Sequence, residues 1–361
     1  MNHTLTPVQA DRQTEHENRF KNVSFWIQMA LIALFISAPM MSSFRIMDTA
    51  AKIMIFTIVV ASYDLILGYT GLLSFAHAMF FGIGAYSIAL LCYHSSAPQW
   101  YHLILAVIVS LVISVVLALV LSFFSLRTKA IFFAMLSLAL ADFFHILGMT
   151  WTDLTLGEDG ITFTLPGMLN INWQGLEIFG FHLGPRLLTY YIILIVSVGL
   201  FFFLLQFVRS PVGRVLKSIR DNEQRSVALG YKTFHYQVYS IVFGSAISSL
   251  GGILFAMWLR FVDPESVLGV FSMVDYLLMV IIGGLGTLYG AIIGVAFFIM
   301  TQAWLPDLLS TMADLLPDIE IINRLADRWM AFFGILFILV ILVFPKGVVG
   351  TLRELRDRRN P

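Results

Sequence analysis

Two apolar runs, 187–208 and 236–257, are each long enough to cross a bilayer, and they enclose a polar island, Arg209 to His235, RSPVGRVLKSIRDNEQRSVALGYKTFH. Lipid offers no partner to an unpaired backbone N–H or C=O, so a run of about 20 apolar residues crosses it as a helix. Runs of this kind recur along the chain, which points to an all-α polytopic membrane protein. Composition agrees: 59% of the 361 residues are hydrophobic and 12% charged, against about 45–50% and 25% in soluble domains. Mean hydropathy is +0.86. The zero formal charge hides an asymmetry between loops and gives no reason to expect a nucleic-acid partner. A single cysteine, Cys92, excludes an internal disulfide framework and any multi-cysteine metal site.

In chain order, residues 1–24 read as a polar cytoplasmic arm, 25–344 as the membrane domain and 345–361 as a basic cytoplasmic tail. Spans are expected at about 25–41, 46–67, 71–93, 101–124, 130–149, 187–208 and 236–257. Between the sixth and fifth of these, 150–186 is an acidic excursion suited to the periplasmic side. The stretch 266–305 is interrupted by GGLGTLYG at 283–290, and this sets the parity. Two short spans turning at the glycines, followed by a last span, place 16 of the 22 Lys and Arg but only 7 of the 22 Asp and Glu in cytoplasmic segments. The expectation is therefore about ten spans with both termini cytoplasmic; a re-entrant pair at 266–305 is the alternative. The Gly-broken segments 68–86 and 283–294 occupy corresponding positions in two pseudo-repeated halves, a pattern that marks transport paths.

Within the island, Pro211 suits a first helical turn and Gly230 a stop, so one amphipathic helix is expected over 213–229. Val212, Val215, Leu216 and Ile219 share a face, with Arg214, Lys217, Arg220 and Asp221 off it. Either the island couples to a partner or it only orients its flanking spans. Ionisable residues inside spans face a bundle interior or a water-filled cavity. Asp64, His77, Asp142 and His145 are the candidates, with Ser74, Gly82 and Gly84 beside His77 along the same path. Asp142 and His145, three apart, are expected to neutralise each other, as are Asp48 and Lys52. For His77, cavity lining and plain packing stand level. Ladders of small residues, Gly244, Ser248 and Gly252, then Gly286, Gly290 and Gly294, suit close helix packing within one subunit, with a path wall or a second-subunit contact as the alternative, and Gly283, Gly284, Gly286 and Gly290 are the candidate gate. No G-x-x-x-x-G-K-S/T loop, H-E-x-x-H or G-x-S-x-G occurs, so neither an ATPase site nor an enzyme is expected.

Several stretches carry a family likeness: DLILGYTGLLSFAHAMFFGIGAY at 64–86, SLRTKAIFFAMLSLALA at 125–141, TDLTLGEDGI at 152–161, RSPVGRVLKSIRDNEQRSVALGY at 209–231, VDPESV at 262–267, LLMVIIGGLGTLYGAIIG at 277–294 and FPKGVVG at 344–350. In this order they resemble the LivM-type permease subunit of branched-chain amino-acid ABC transporters, with urea-type permeases as near relatives. The resemblance implies an inner-membrane importer of branched-chain or related small amino acids, working by alternating access. Its partners would be a second, LivH-like permease subunit, two cytosolic ATPases that hold ATP and Mg, and a periplasmic binding protein; no cofactor is implied for this chain. The island would be the ATPase coupling segment, with Arg214, Leu216, Arg220, Asp221, Glu223 and Gly230 at its core. Ala76, where the family usually has glycine, and Asp142, where a neutral residue is common, bear on the substrate, and a urea, amide or small-carboxylate permease is the near alternative. From another class, a stand-alone secondary transporter or channel would use the buried Asp and His to carry protons.

Overall fold

The computed structural model describes residues 32–41, 43–95, 97–125, 130–178, 181–315 and 328–351. The N-terminal arm, residues 25–31 of the first expected span, residues 126–129 of the basic turn, 316–327 of the acidic segment and the tail beyond 351 lie outside these. The chain divides into two units, Met1–Ala50 and Ala51–Pro361. In the first, helical residues 32–37 run into a 3₁₀ turn, Ala38–Met41.

The second unit is built on helices α1 (Phe44–Thr70, entering from the first unit), α2 (His77–Tyr93), α3 (Trp100–Ser125), α4 (Ala130–Thr150) and α5 (Pro185–Arg209). The island forms α6 (Pro211–Asp221) and α7 (Glu223–Ala228). There follow α8 (Thr233–Leu259), α9 (Pro264–Leu268), α10 (Val270–Gly283), α11 (Leu288–Leu315) and α12 (Trp329–Val343). Among the described residues, seven helices are long and apolar enough to cross a membrane: α1, α3, α4, α5, α8, α11 and the one opening at Trp329. The apolar helices α2 and α10 are shorter, 17 and 14 residues, or about 26 and 21 Å against a hydrocarbon core of about 30 Å. The stretch 266–305 thus turns at its glycines, but into one short and one long helix where two short ones were expected.

At the centre lies α2, buried without interruption from His77 to Ala89. Small residues let its neighbours approach backbone to backbone, a main source of helix association in lipid. A Cβ on Gly84 would strike the Ser249 backbone, and one on Gly252 the Phe81 carbonyl. Ser248 of the same ladder donates to the His77 carbonyl at 3.1 Å. The ladder on α8 therefore serves packing within this chain. Gly290 and Gly294 do the same for α11, lying against Gly283 and the Met279 carbonyl of α10. A buried apolar cluster joins Ile66, Met79, Phe80, Leu121, Phe133 and Ile241 across α1, α2, α3, α4 and α8. Burial sorts the helices: 83% of the apolar window of α1 and 78% of that of α8 are covered, against 22% for α3 and α4.

Contrary to a purely helical expectation, the excursion carries short strands. β1 (Ile161–Thr162) will pair with a later strand, and β2 (Leu176–Ile178) and β3 (Phe181–Leu183) form an antiparallel hairpin with Glu177 opposite His182. β4 (Phe261–Val262) is antiparallel to β1, with Ile161 opposite Val262, and so ties the excursion to the end of α8. Arg260, in the left-handed region at φ 59°, turns the chain there and donates to the Leu169 carbonyl at 2.9 Å.

Candidate functional site

The two glycine breaks meet at one place. α1 stops because Gly71 adopts φ +74°: its N–H reaches the Leu67 carbonyl at 3.1 Å and the Leu72 N–H reaches the Ile66 carbonyl at 3.2 Å, a left-handed closure that wants glycine at this position. The Gly68 carbonyl, one of those a helix end leaves without an intrahelical partner, accepts instead from Nη1 of Arg220 on α6. A cation at a helix C-terminus also complements the macrodipole.

The second break supplies the opposite helix end. Gly284 at φ +108° and Gly286 at φ +76° carry the chain from α10 into α11, with Thr287 Oγ1 donating to the Gly284 carbonyl at 2.6 Å. The Gly286 N–H points away from that turn and donates to Oδ1 of Asp64 at 2.7 Å. Thus α11 begins on a carboxylate from α1, and a charge-assisted bond at a helix N-terminus is among the stronger polar contacts available. Asp64 is 1% exposed, and its Oδ2 has no hydrogen-bond partner among the described residues. The cations whose fields reach it are Arg220 and Lys217 of the island. Glycine at 68 is required for this closeness, since a Cβ there would strike both the Asp64 carboxyl and the Gly286 nitrogen. From the C-terminal side, Gly347 packs on Gly284.

The island holds two helices where one was expected. Asn222, at φ −163°, breaks the run and caps α7, its Oδ1 accepting from the Arg225 N–H at 2.9 Å; asparagine competes for backbone donors in this way and favours caps over helix interiors. Ser210 caps α6, and Gly230 closes the island at φ +89°. Leu216 and Ile219 are buried and Val212 and Val215 half-buried, so the apolar row seats α6 on the body of this chain. Lys217 lies 5.0 Å from the Tyr69 ring, and Glu223 accepts from Gln237 at 3.2 Å. Arg220, expected at the core of a partner-coupling segment with Arg214, Leu216, Asp221, Glu223 and Gly230, has its guanidinium engaged within the chain. Arg214, Asp221, Glu223 and Gly230 remain exposed, beside Val227, Leu229 and Tyr231.

The other path candidates lie elsewhere. His77 is fully buried between α1 and α2, with Nε2 at 2.9 Å from Ser62 Oγ and 3.1 Å from the Val59 carbonyl, and the Tyr63 ring at 5.2 Å. Ser74 is buried before it and accepts from the Ala76 N–H at 3.3 Å. Gly82 and Gly84 are contact points of α2, the former against Leu268. The expected Asp142–His145 pair does not form: His145 Nε2 lies 3.2 Å from Glu265 Oε2 on α9, while Asp142 is exposed. Sequence spacing of three permits a contact, but α9 packs against α4 and offers a nearer carboxylate. Reading by sequence passed over Asp275, which lines a cavity with Lys52 and Gln302; a lone carboxylate inside the apolar 266–305 stretch was its signal. No group of three or more His, Cys, Asp and Glu among the described residues is placed to hold a metal ion.

Residues 45–341 match a family model described as branched-chain amino acid transport system, permease component. The chain is 25% identical over 342 residues to the high-affinity branched-chain amino acid transport system permease protein LivM of Salmonella typhimurium, a match covering 90% of this chain and 75% of that one. To the protein of the same name from Escherichia coli it is 24% identical over 349 residues, covering 92% and 76%. A probable branched-chain amino acid transport permease protein LivM of Methanocaldococcus jannaschii matches at 25% over 165 residues, 44% and 45% of the two chains. No solved structure matches.

Proposed function

Since the chain belongs to the family of branched-chain amino acid transport permease components, we propose that it is the membrane-spanning subunit of a bacterial inner-membrane ABC importer, moving branched-chain amino acids inward. In this reading it crosses the membrane ten times with both termini in the cytoplasm, and it works with a second permease subunit, two ATPases that bind ATP and Mg, and a periplasmic binding protein. The observation that carries the mechanism is the contact of Arg220 with Gly68 beside the Asp64–Gly286 bond. One cytoplasmic side chain touches both glycine breaks. An ATPase that grips the exposed face of the island, where Val227, Leu229 and Tyr231 stand among Arg214, Asp221 and Glu223, would move α6, and α6 would carry that motion through Arg220 to the hinge between α10 and α11. Leu216 and Ile219 make the transmission stiff by holding α6 to the body of the permease.

Reconstitution with the four partners in proteoliposomes tests this. ATP inside the ATPase-accessible compartment should drive uptake of L-leucine, L-isoleucine and L-valine, and omission of the ATPases should abolish it. Uptake driven by a proton gradient without ATPases would establish the secondary-transporter reading instead. For the topology, an Asn222→Cys variant should react with an impermeant thiol reagent only after permeabilisation and a Met168→Cys variant without it; the reverse pattern would overturn the orientation.

A further inference from the structure

Between α2, α3 and α4 lies a cavity of about 410 Å³, within the roughly 300–1,000 Å³ range of small-molecule sites. Leu268 of α9 closes its inner end, wedged between two glycines: a Cβ on Gly82 of α2 would strike it, and one on Gly148 of α4 would press on it. From Gly82 to Leu91 the cavity follows α2 for about 14 Å, about half of the roughly 30 Å hydrocarbon core. It is one leaflet deep.

The wall is apolar, with Ile83, Leu90, Val109, Phe144 and Leu147 among its residues, and no charged side chain borders it. Of its three hydroxyls, Ser87 donates to the Gly84 carbonyl and Thr155 to the Gly148 carbonyl, each at 2.7 Å. The third, on Tyr86, is buried without a partner among the described residues. A zwitterion, a sugar or an ion would therefore meet one hydroxyl and no charge, and most of its own polar groups would stay unbonded.

The mouth is marked by Trp151, exposed just beyond α4, whose indole N–H has no partner among the described residues. Tyr93 at the end of α2 and Tyr101 at the start of α3 are exposed there too. Such aromatics gather at the membrane–water interface, with the apolar body inward and the polar tip toward water. On the outside, only 22% of the apolar windows of α3 and α4 is covered by the chain, and Ile113 belongs both to that exposed surface and to the wall. The cavity is thus continuous with the surface these helices offer to lipid.

We propose that the cavity holds one acyl chain of a phospholipid, its ester carbonyl accepting from the Trp151 indole N–H at the mouth and its tail lying along Ile83, Val109 and Leu147 down to Leu268. In the orientation given above the lipid comes from the outer leaflet, but the site needs neither that orientation nor the transport reading. A void open to hydrocarbon forfeits the dispersion contacts of its lining. A lipid tail restores them and joins α3 and α4 to the buried α2 where the chain itself leaves a gap.

The test purifies the assembled transporter in mild detergent and identifies what it retains by native mass spectrometry and lipid extraction. Wild type should carry one phospholipid per copy of this chain. Val109→Trp fills the cavity and should lose it; Trp151→Phe keeps an aromatic ring, removes the N–H and should weaken retention about fivefold. A second measurement needs no substitution, and so decides the matter even where Val109→Trp does not assemble. Phosphatidylethanolamine carrying a diazirine in mid-chain is incorporated at low mole fraction and photolysed. Label should concentrate on Ile83, Val109 and Leu147, and unlabelled phosphatidylethanolamine should suppress it at a lower excess than it suppresses label on the exposed Val116; L-leucine should not suppress it. Label spread evenly over the outer faces of α3 and α4 would reduce the site to ordinary surrounding lipid and overturn the proposal. So would a retained free fatty acid in place of the phospholipid, or wall positions that carry no lipid and cross-link to the second permease subunit.

Discussion

Asp64 and Asp275 are the same residue on neighbouring apolar helices, yet they have opposite surroundings. The first is 1% exposed and bonds the Gly286 N–H at 2.7 Å, with the island's cations nearby. The second borders a cavity and has no hydrogen-bond or ion-pair partner among the described residues. A carboxylate in a span must be answered by something. Where the protein supplies the answer, the residue joins helices and its charge is a structural part; where the described residues supply none, the carboxylate faces a cavity. Substitution of the first should therefore cost stability and substitution of the second little.

The largest effect is expected at Gly68. Gly68→Val drives a branched side chain into the Asp64 carboxyl and the Gly286 nitrogen, where overpacking against backbone costs about 3 kcal/mol or more; the purified variant should show a markedly lower Tm in detergent or fail to assemble. An unchanged Tm would mean that the two breaks are not in contact. Next comes the paired test of the carboxylates. Asp64→Asn weakens a charge-assisted bond and should destabilise by about 1.5–3 kcal/mol, whereas Asp275→Asn breaks no hydrogen bond among the described residues and should shift Tm little. Equal losses of Tm in the two variants would erase the distinction drawn above.

A smaller loss is expected for Arg220→Gln, because the residue is largely exposed and only its guanidinium tip is engaged. We expect about 1 kcal/mol in stability, but leucine-stimulated ATP hydrolysis that no longer yields uptake. Combined with Asp64→Asn, its effect on Tm should be less than additive, as for residues sharing one network; strict additivity would separate Arg220 from Asp64. The smallest effect belongs to the outer ion pair. With Glu265 57% exposed, His145→Ala should change Tm by no more than about 1 kcal/mol, and a larger loss would indicate that this pair is buried in the assembled transporter.

Much of the local structure could be read in one dimension. Pro211 opens α6, Gly71 and Gly230 take positive φ at helix ends, and the Gly244 ladder lies at a close helix contact. Each of these depends on residues within a turn or two of one another or on a residue's intrinsic backbone freedom. The errors came from the same rule used past its reach. Asp142 and His145 have the spacing of a pair, but Glu265 stands closer to His145; the island has the composition of one helix, but Asn222 prefers to cap a second; Arg220 has the look of a coupling charge, but a carbonyl freed by the end of α1 claims it.

What the sequence determined by itself is the class of object: apolar runs of bilayer length, the polar island between two of them, and the two places where glycine interrupts a helix, all consequences of what lipid and backbone geometry allow. Which of these features meet was decided only by the tertiary structure. Asp64 and Gly286 are 222 residues apart and Arg220 and Gly68 152 apart, and no periodicity reports on such distances. The reason is physical. A helix satisfies its own backbone everywhere except at its ends, so the ends must find partners on other elements, and which partners they find depends on which helices pack side by side.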